Sequence, residues 1–256
     1  MNKEVCWNIT AKCNQSCKYC HRFLDVTDLS YEDNLFILNN LINSGIDSIT
    51  WTGGEALLLN RLDDLLKYSY ERGIKNKLIT NGKLLTHNRI DKIYKYLDSI
   101  TLSIDSTDDD INVFLGRGKS HFVEIKEILD YIDLKKYNVK IRINSVVCKQ
   151  TLNSFDKLID FLNDYNIYSW RIFKFMPLRE KAIVNKQIFD ISMEEYSNMI
   201  EKLKEKSNIK RIDTRVEEDM EKKYILILAN GDIVITNKGK DEKVGNALTD
   251  LLAEYL

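Results

Sequence analysis

Three cysteines stand within eight residues near the start of the chain: Cys13, Cys17 and Cys20, in the run Lys12-Cys-Asn-Gln-Ser-Cys-Lys-Tyr-Cys-His21. The apolar stretch Val5–Thr10, which reads as a strand, comes directly before them. Thiolates with this CxxxCxxC spacing can hold three irons of a [4Fe–4S] cube and leave the fourth iron open to a ligand. A structural zinc would need a fourth Cys or His at ligand spacing. The other candidates, Cys6, Cys148, His21, His87 and His121, are scattered. Five cysteines, an odd number, without a signal-peptide pattern argue against a disulfide framework and for a reduced, cytoplasmic setting. Cys6 and Cys148 fall in apolar strand-like runs and read as small buried core residues.

What surrounds the triplet is an alternation of short β-rich runs with helical periodicities, the pattern of a parallel sheet with crossover helices. Strands are predicted at Val5–Thr10, Ser48–Thr52, Asn76–Thr80, Ser99–Ile104, Val139–Val147 and Trp170–Phe175. A first helix starts at the cap-like Ser30-Tyr-Glu-Asp33 and stops at Gly45, with Leu35, Leu38, Leu41 and Ile42 on one apolar face. Further helices are expected over Arg61–Arg72, Thr86–Leu97, His121–Lys136 and Asn153–Asp164. Six strands with five crossovers make an α/β fold, a partial (β/α)6 TIM-like barrel over residues 1–176. Beyond Pro177, the only proline, the pattern changes to a helix near Ser192–Glu205 and two strands, Tyr224–Leu228 and Ile233–Thr236. Asn230-Gly231 between them is a hairpin-turn signal. Residues 177–256 are therefore expected to form a small α+β C-terminal extension covering the substrate site.

The 256 residues suffice for a sizeable core. Their 38 basic and 39 acidic side chains leave a net charge of −1, so neither nucleic acid nor an anionic membrane is indicated as a partner. No apolar run approaches a membrane span in length.

In a parallel α/β barrel the working loops follow the C-terminal ends of the strands. The cysteines follow the first strand, Thr52-Gly-Gly-Glu55 the second and Thr80-Asn-Gly82 the third. Ser103 and Asp105 close the fourth, and Asn144 and Ser145 lie along the fifth. Any one of these could be an ordinary turn or cap; at consecutive strand ends they form a pattern.

With these motifs the stretch from Val5 to Phe175 resembles the radical S-adenosylmethionine superfamily. The resemblance implies that Cys13, Cys17 and Cys20 ligate a [4Fe–4S] cluster whose open iron takes S-adenosylmethionine. It further implies that Gly53, Gly54 and Glu55 approach the methionyl amino group, and that Tyr19 packs near adenine. Ser103, Asn144 and Asn81 would offer hydroxyl and amide groups to a ribose or carboxylate. Pro usually follows the Gly-Gly-Glu motif in this superfamily; here the residue is Ala56.

Further stretches are similar to viperin and its prokaryotic relatives, nucleotide dehydratases. They are Asp110-Ile-Asn-Val-Phe-Leu-Gly-Arg-Gly118, Arg142-Ile-Asn-Ser-Val146, Ser169-Trp-Arg-Ile-Phe173 and Lys223-Tyr-Ile-Leu-Ile227. This similarity implies a cofactor contact at Arg117, triphosphate contacts at Arg142 and Arg171, and an active-site tyrosine, a candidate general acid, at Tyr224. Lys174 is expected to support the phosphate pocket, because Ser169 stands where the family has arginine; Ser48 also replaces a frequent lysine. The three cations are expected to converge inside the barrel mouth, without acidic partners, as a phosphate requires. The implied reaction turns a ribonucleoside triphosphate into its 3′-deoxy-3′,4′-didehydro analogue, in antiviral defence, with electrons from an external donor such as flavodoxin or ferredoxin. Radical enzymes acting on a peptide or another small metabolite are the alternative. A molybdenum-cofactor-type GTP cyclase would need cysteines for a second cluster, and none follows Cys148.

Overall fold

The computed structural model describes residues 3–220, 225–237, 240–250, 252 and 255. Seven parallel strands succeed one another in chain order: β1 (Glu4–Thr10), β2 (Ser48–Gly53), β3 (Lys75–Thr80), β4 (Ser99–Ser103), β5 (Lys140–Val147), β6 (Ser169–Lys174) and β7 (Ile212–Arg215). The connections carry α1 (Tyr31–Asn43), α2 (Leu62–Tyr70), α3 (His87–Ile93), α4 (Asp109–Leu115), α5 (His121–Lys135), α6 (Phe155–Asn163), α7 (Glu180–Val184), α8 (Lys186–Phe189) and α9 (Met193–Lys206). At the other edge β8 (Ile225–Ile227) runs parallel to β1. It is followed outward by antiparallel β9 (Asp232–Asn237) and β10 (Lys240–Asn246). The segment after Pro177 thus adds strands to both edges of one ten-stranded sheet.

The expected strands sit within a residue or two of the observed ones, because their period-2 alternation is real. On β5, Ile141, Ile143, Ser145 and Val147 are buried against the helices while Arg142, Asn144 and Val146 turn to the other face. β1 alternates likewise: Val5, Trp7 and Ile9 enter the core, and Cys6 does not. Cys6 faces a cavity beside Glu4 and Arg171, which corrects its reading as a core residue; Cys148 is buried as expected. Burial pushes the Cys6 thiol up to about 12, so it is an uncharged lining group.

Helix ends follow local chemistry. The Ser30 side chain accepts from the Asp33 N–H, and α1 buries Ile37, Leu38 and Leu41, with Leu35 and Ile42 packed partly against the core. The Asn230-Gly231 hairpin forms, with Gly231 at φ +83° and Leu226 opposite Val234. Two further strands, the short Ile-Asp-Thr-Arg of β7 and the charge-rich β10, lack the apolar alternation that would reveal them in the sequence.

Candidate active site

The loop after β1 is built by its neighbours. Gly54 N–H donates to Thr10 O at 2.7 Å and Glu55 N–H to Lys12 O at 2.8 Å. A Cβ on Gly53 would lie 2.3 Å from Thr10 O, at a φ of +146°, and one on Gly54 would lie 2.1 Å from Lys12 O. These glycines are required first by close approach to the cysteine loop of the same chain. On the loop's other side Ser16 N–H donates to Gly116 O, Lys18 N–H donates to Leu115 O, and a Cβ on Gly116 would lie 2.4 Å from Ser16 O.

So held, the three thiols border one cavity of about 280 Å³ with Tyr19, Gly53, Gly54, Glu55, Asn81, Ser103, Arg117 and Asn144. The Gln15 and Arg22 N–H groups each approach a sulfur at 3.4 Å, Cys13 and Cys20 respectively, and the Asn81 amide reaches Cys13 at 3.8 Å. Among the described residues no three His, Cys, Asp or Glu side chains converge on a single-ion position. Three sulfurs around a shared cavity, with N–H groups aimed at them, suit a polynuclear iron–sulfur body. Burial raises the Cys13 thiol and pushes Cys17 up to about 11, so ligation must displace protons.

Two buried carboxylates set the cavity walls. Glu55 accepts from Thr80 Oγ1 (2.8 Å), Asn81 N–H (2.7 Å) and Leu57 N–H (3.1 Å), tying β2 to the end of β3. Burial raises its pKa against these bonds, and Oε2, with a single donor, keeps acceptor capacity in a residue that lines the cavity. Asp105 accepts from the Tyr19 hydroxyl, from Arg117 Nε at 2.5 Å and from Val146 N–H at 2.7 Å. Arg117 is therefore a fixed, paired cation in the wall, and Tyr19 stands edge-on to Phe189. The Asn81 side chain is spent locally, donating to Asn14 and accepting from Lys83 N–H.

Behind the loop lies a group that the spacing of histidines did not reveal. His121 Nε2 is 2.9 Å from Ser103 O, which can only accept, so Nδ1 is the acceptor for the Gln15 amide at 3.3 Å. Burial holds His121 neutral, lowering its pKa to about 3.

A second cavity of about 450 Å³ lies under the first, along the concave face of the sheet; Ile79, Asn144 and Phe173 line both. Strand register makes it: Ser103, Asn144, Arg171 and Asp213 pair in one row across β4 to β7, and Thr101, Arg142 and Ser169 pair in the next. Arg142 and Arg171 therefore meet on one face. Lys174, at the strand end, does not join them: it lines the cysteine cavity and pairs with Asp190 at 2.9 Å. The expected absence of acidic partners is also corrected, since Asp213 binds Arg171 at 2.8 Å and Arg215 at 2.9 Å. Arg142 has no carboxylate partner among the described residues. Its Nη1 reaches Ser169 Oγ at 3.4 Å, its guanidinium lies 4.8 Å from the centre of the Tyr168 ring, and its Nε is buried without a partner. Lys77, Arg211 and Arg215 were not anticipated, and they bring the lining to five cations against the carboxylates Glu4 and Asp213. Lys77 was legible as an inward position of β3, two residues before Ile79; Arg215 was not, because β7 was not. Tyr224 lies outside the described residues.

Residues 7–162 match the family model of the Radical SAM superfamily, and the chain belongs to that superfamily. Its members use a [4Fe–4S] cluster and S-adenosylmethionine. An S-adenosylmethionine-dependent nucleotide dehydratase from Flammeovirga pacifica is 29% identical over 88% of this chain and 79% of its own length. One from Selenomonas ruminantium is 25% identical over 98% of this chain and 92% of its own. Among solved structures, Streptococcus suis SuiB bound to its precursor peptide SuiA superposes with a TM-score of 0.79. At 19% identity, covering 98% of this chain and 63% of that one, it shows the shared fold.

Proposed function

We propose that the protein is a radical S-adenosylmethionine enzyme that dehydrates a ribonucleoside triphosphate to its 3′-deoxy-3′,4′-didehydro analogue in antiviral defence. The observation that carries this reading is the cation-rich cavity adjoining the cysteine cavity at Asn144, with Arg142 holding a buried, unpartnered N–H. Arginine forks suit phosphate oxygens. The Flammeovirga and Selenomonas relatives, named as nucleotide dehydratases, agree with a nucleotide substrate.

When bound, the cluster and S-adenosylmethionine supply a 5′-deoxyadenosyl radical. The chain's own part is placement. Arg142, Arg171 and Arg215 hold the triphosphate low on the concave face and direct the ribose toward the cysteine cavity. The free lone pair of Glu55 and the carbonyls beside Gly53 and Gly54 receive the methionyl ammonium. Tyr19 and Arg117 form the wall near the adenine, and Ser103 and Asn144 offer polar atoms at the junction of the two cavities. Tyr224 serves as the proton donor for the departing 3′-hydroxyl. Two electrons per turn come from an external donor such as flavodoxin or ferredoxin, one to release the radical and one to reduce the substrate radical as the protonated 3′-hydroxyl leaves as water.

The test is anaerobic incubation of cluster-loaded enzyme with S-adenosylmethionine, dithionite and each of the four ribonucleoside triphosphates in turn. One of them, deuterated at C4′, should lose D and OH overall, the deuterium appearing in 5′-deoxyadenosine and the 3′-hydroxyl leaving as water. Absence of both with all four nucleotides, alongside deuterium transfer from a peptide, would overturn the substrate and leave the superfamily assignment intact.

A further inference from the structure

The outer side of the cysteine loop carries a surface that neither cavity uses. Lys18, between Cys17 and Cys20, is exposed and its Nζ lies 4.4 Å over the ring of Phe114, itself 41% exposed at the end of α4. Asn185, between α7 and α8, donates to Lys18 O at 3.0 Å, which brings the exposed Ile183, Val184 and Ile188 to the same place. Val184 is 82% exposed. Exposed apolar groups gathered in this way mark contact surfaces more often than they occur by chance.

Beneath the patch the path to the cysteines is short. Cys17 packs against a small apolar core that contains Leu115, Phe189 and Tyr19, and the Phe114 and Phe189 rings meet at 6.0 Å. One layer of side chains separates the Cys17 environment from the surface. The rim is basic: Lys18, Lys149 and Lys186 are exposed and Lys181 half-buried, and none of the four has a carboxylate ion-pair partner among the described residues. Lys149 is anchored there through its N–H to Phe189 O at 3.1 Å. Against them stand Glu180 and Glu195, the latter close enough to feel Lys149, while Asp190 is taken by Lys174 and Asp109 and Asp110 lie at the far end of α4.

We propose that this face docks a small acidic one-electron carrier protein. An apolar centre with a lysine rim matches a transient electron-transfer partner: the contact is small, the charges steer encounter and the apolar centre excludes water. The reduced carrier loses one electron, the cluster on Cys13, Cys17 and Cys20 gains it, and the oxidised carrier departs. The inference rests on the superfamily assignment and is independent of the substrate.

The experiment uses cluster-loaded enzyme and fully reduced flavodoxin as the probe, with dithionite as a small reductant that needs no docking face. Formation of 5′-deoxyadenosine is measured with each reductant for the native protein, Val184→Glu, and the double variant Lys149→Glu/Lys186→Glu. Both variants should lose about tenfold or more of the flavodoxin-driven rate and keep the dithionite-driven rate, as expected when steering charge and contact are removed. Anisotropy of dye-labelled flavodoxin should report a matching loss of affinity, and the native affinity should fall with rising salt. Unchanged flavodoxin-driven rates in both variants, or equal loss with both reductants, would overturn the assignment of this face.

Discussion

Arg142 and Arg171 share a cavity, but their surroundings assign them different weights. A phosphate meeting Arg142 satisfies a buried N–H that has no protein partner. At Arg171 it must compete with Asp213, which Arg215 also holds. Arg142→Ala should therefore weaken nucleoside triphosphate binding by about 1.5–3 kcal/mol, the scale of a charge-assisted hydrogen bond. Arg171→Ala should weaken it less, since Arg215 remains to neutralise Asp213. Calorimetric titration with the triphosphate checks the order, and a larger loss at Arg171 would refute it. His121 gives a prediction in pH. Its pKa falls from an ordinary 6.5 to about 3 on folding, chiefly by burial, so below pH 6.5 the unfolded chain binds the extra proton and the folded one does not. Its contribution to stability is complete above pH 6.5 and is lost as pH falls toward 3. The urea midpoint of the metal-free protein should decline through that window, and His121→Gln should make the decline shallower.

Among the elements, the cysteine loop depends on the turn after β2 more than on its own sequence. Gly54→Ala places a methyl 2.1 Å from the Lys12 carbonyl, a backbone atom that cannot turn aside. Overpacking of this kind costs about 1–3 kcal/mol, and the strain falls on the loop that positions Cys13. Gly54→Ala should therefore retain the far-ultraviolet dichroism of the native sheet yet take up much less iron on anaerobic reconstitution. Iron analysis should separate the cysteines in the same assay: Cys13→Ala, Cys17→Ala and Cys20→Ala lose the cluster, whereas Cys6→Ala and Cys148→Ala, on the cavity face and in the apolar core, keep it.

At the scale of the whole molecule, two cavities on one concave face meet at Ile79, Asn144 and Phe173. A ligand in either one contacts only the folded sheet. At one hundred times its dissociation constant, a triphosphate should stabilise the folded state by about 2.7 kcal/mol. That appears as a rise in melting temperature, larger when S-adenosylmethionine fills the neighbouring cavity. No shift with any of the four nucleotides would count against the lower cavity as a nucleotide site. Among the described residues no helix is long and apolar enough to cross a membrane.

Much of this was written locally. Six strands, the cap at Ser30, the Asn230-Gly231 turn and the cysteine triplet follow from period-2 and period-3.6 patterns and from turn chemistry within a few residues. Cys13, Cys17, Cys20, Glu55 and Ser103 could be placed at strand ends, and Asn144 along the fifth strand, for the same reason, and they share one cavity. Local pattern does not say which neighbour a charge will meet. Asp213 reaches Arg171 across 42 residues, on a strand too polar to be seen, and Lys174 turns to Asp190 because it stands at the strand's end. Alternation divides β1 into two faces without saying which lines a cavity, so Cys6 could be placed only once the curved sheet had brought Thr50, Arg171 and Asp213 around the same space. The need for Gly53 and Gly54 was visible, but its cause, the backbone of Thr10 and Lys12 pressed against them, exists only where β1 and β2 lie side by side.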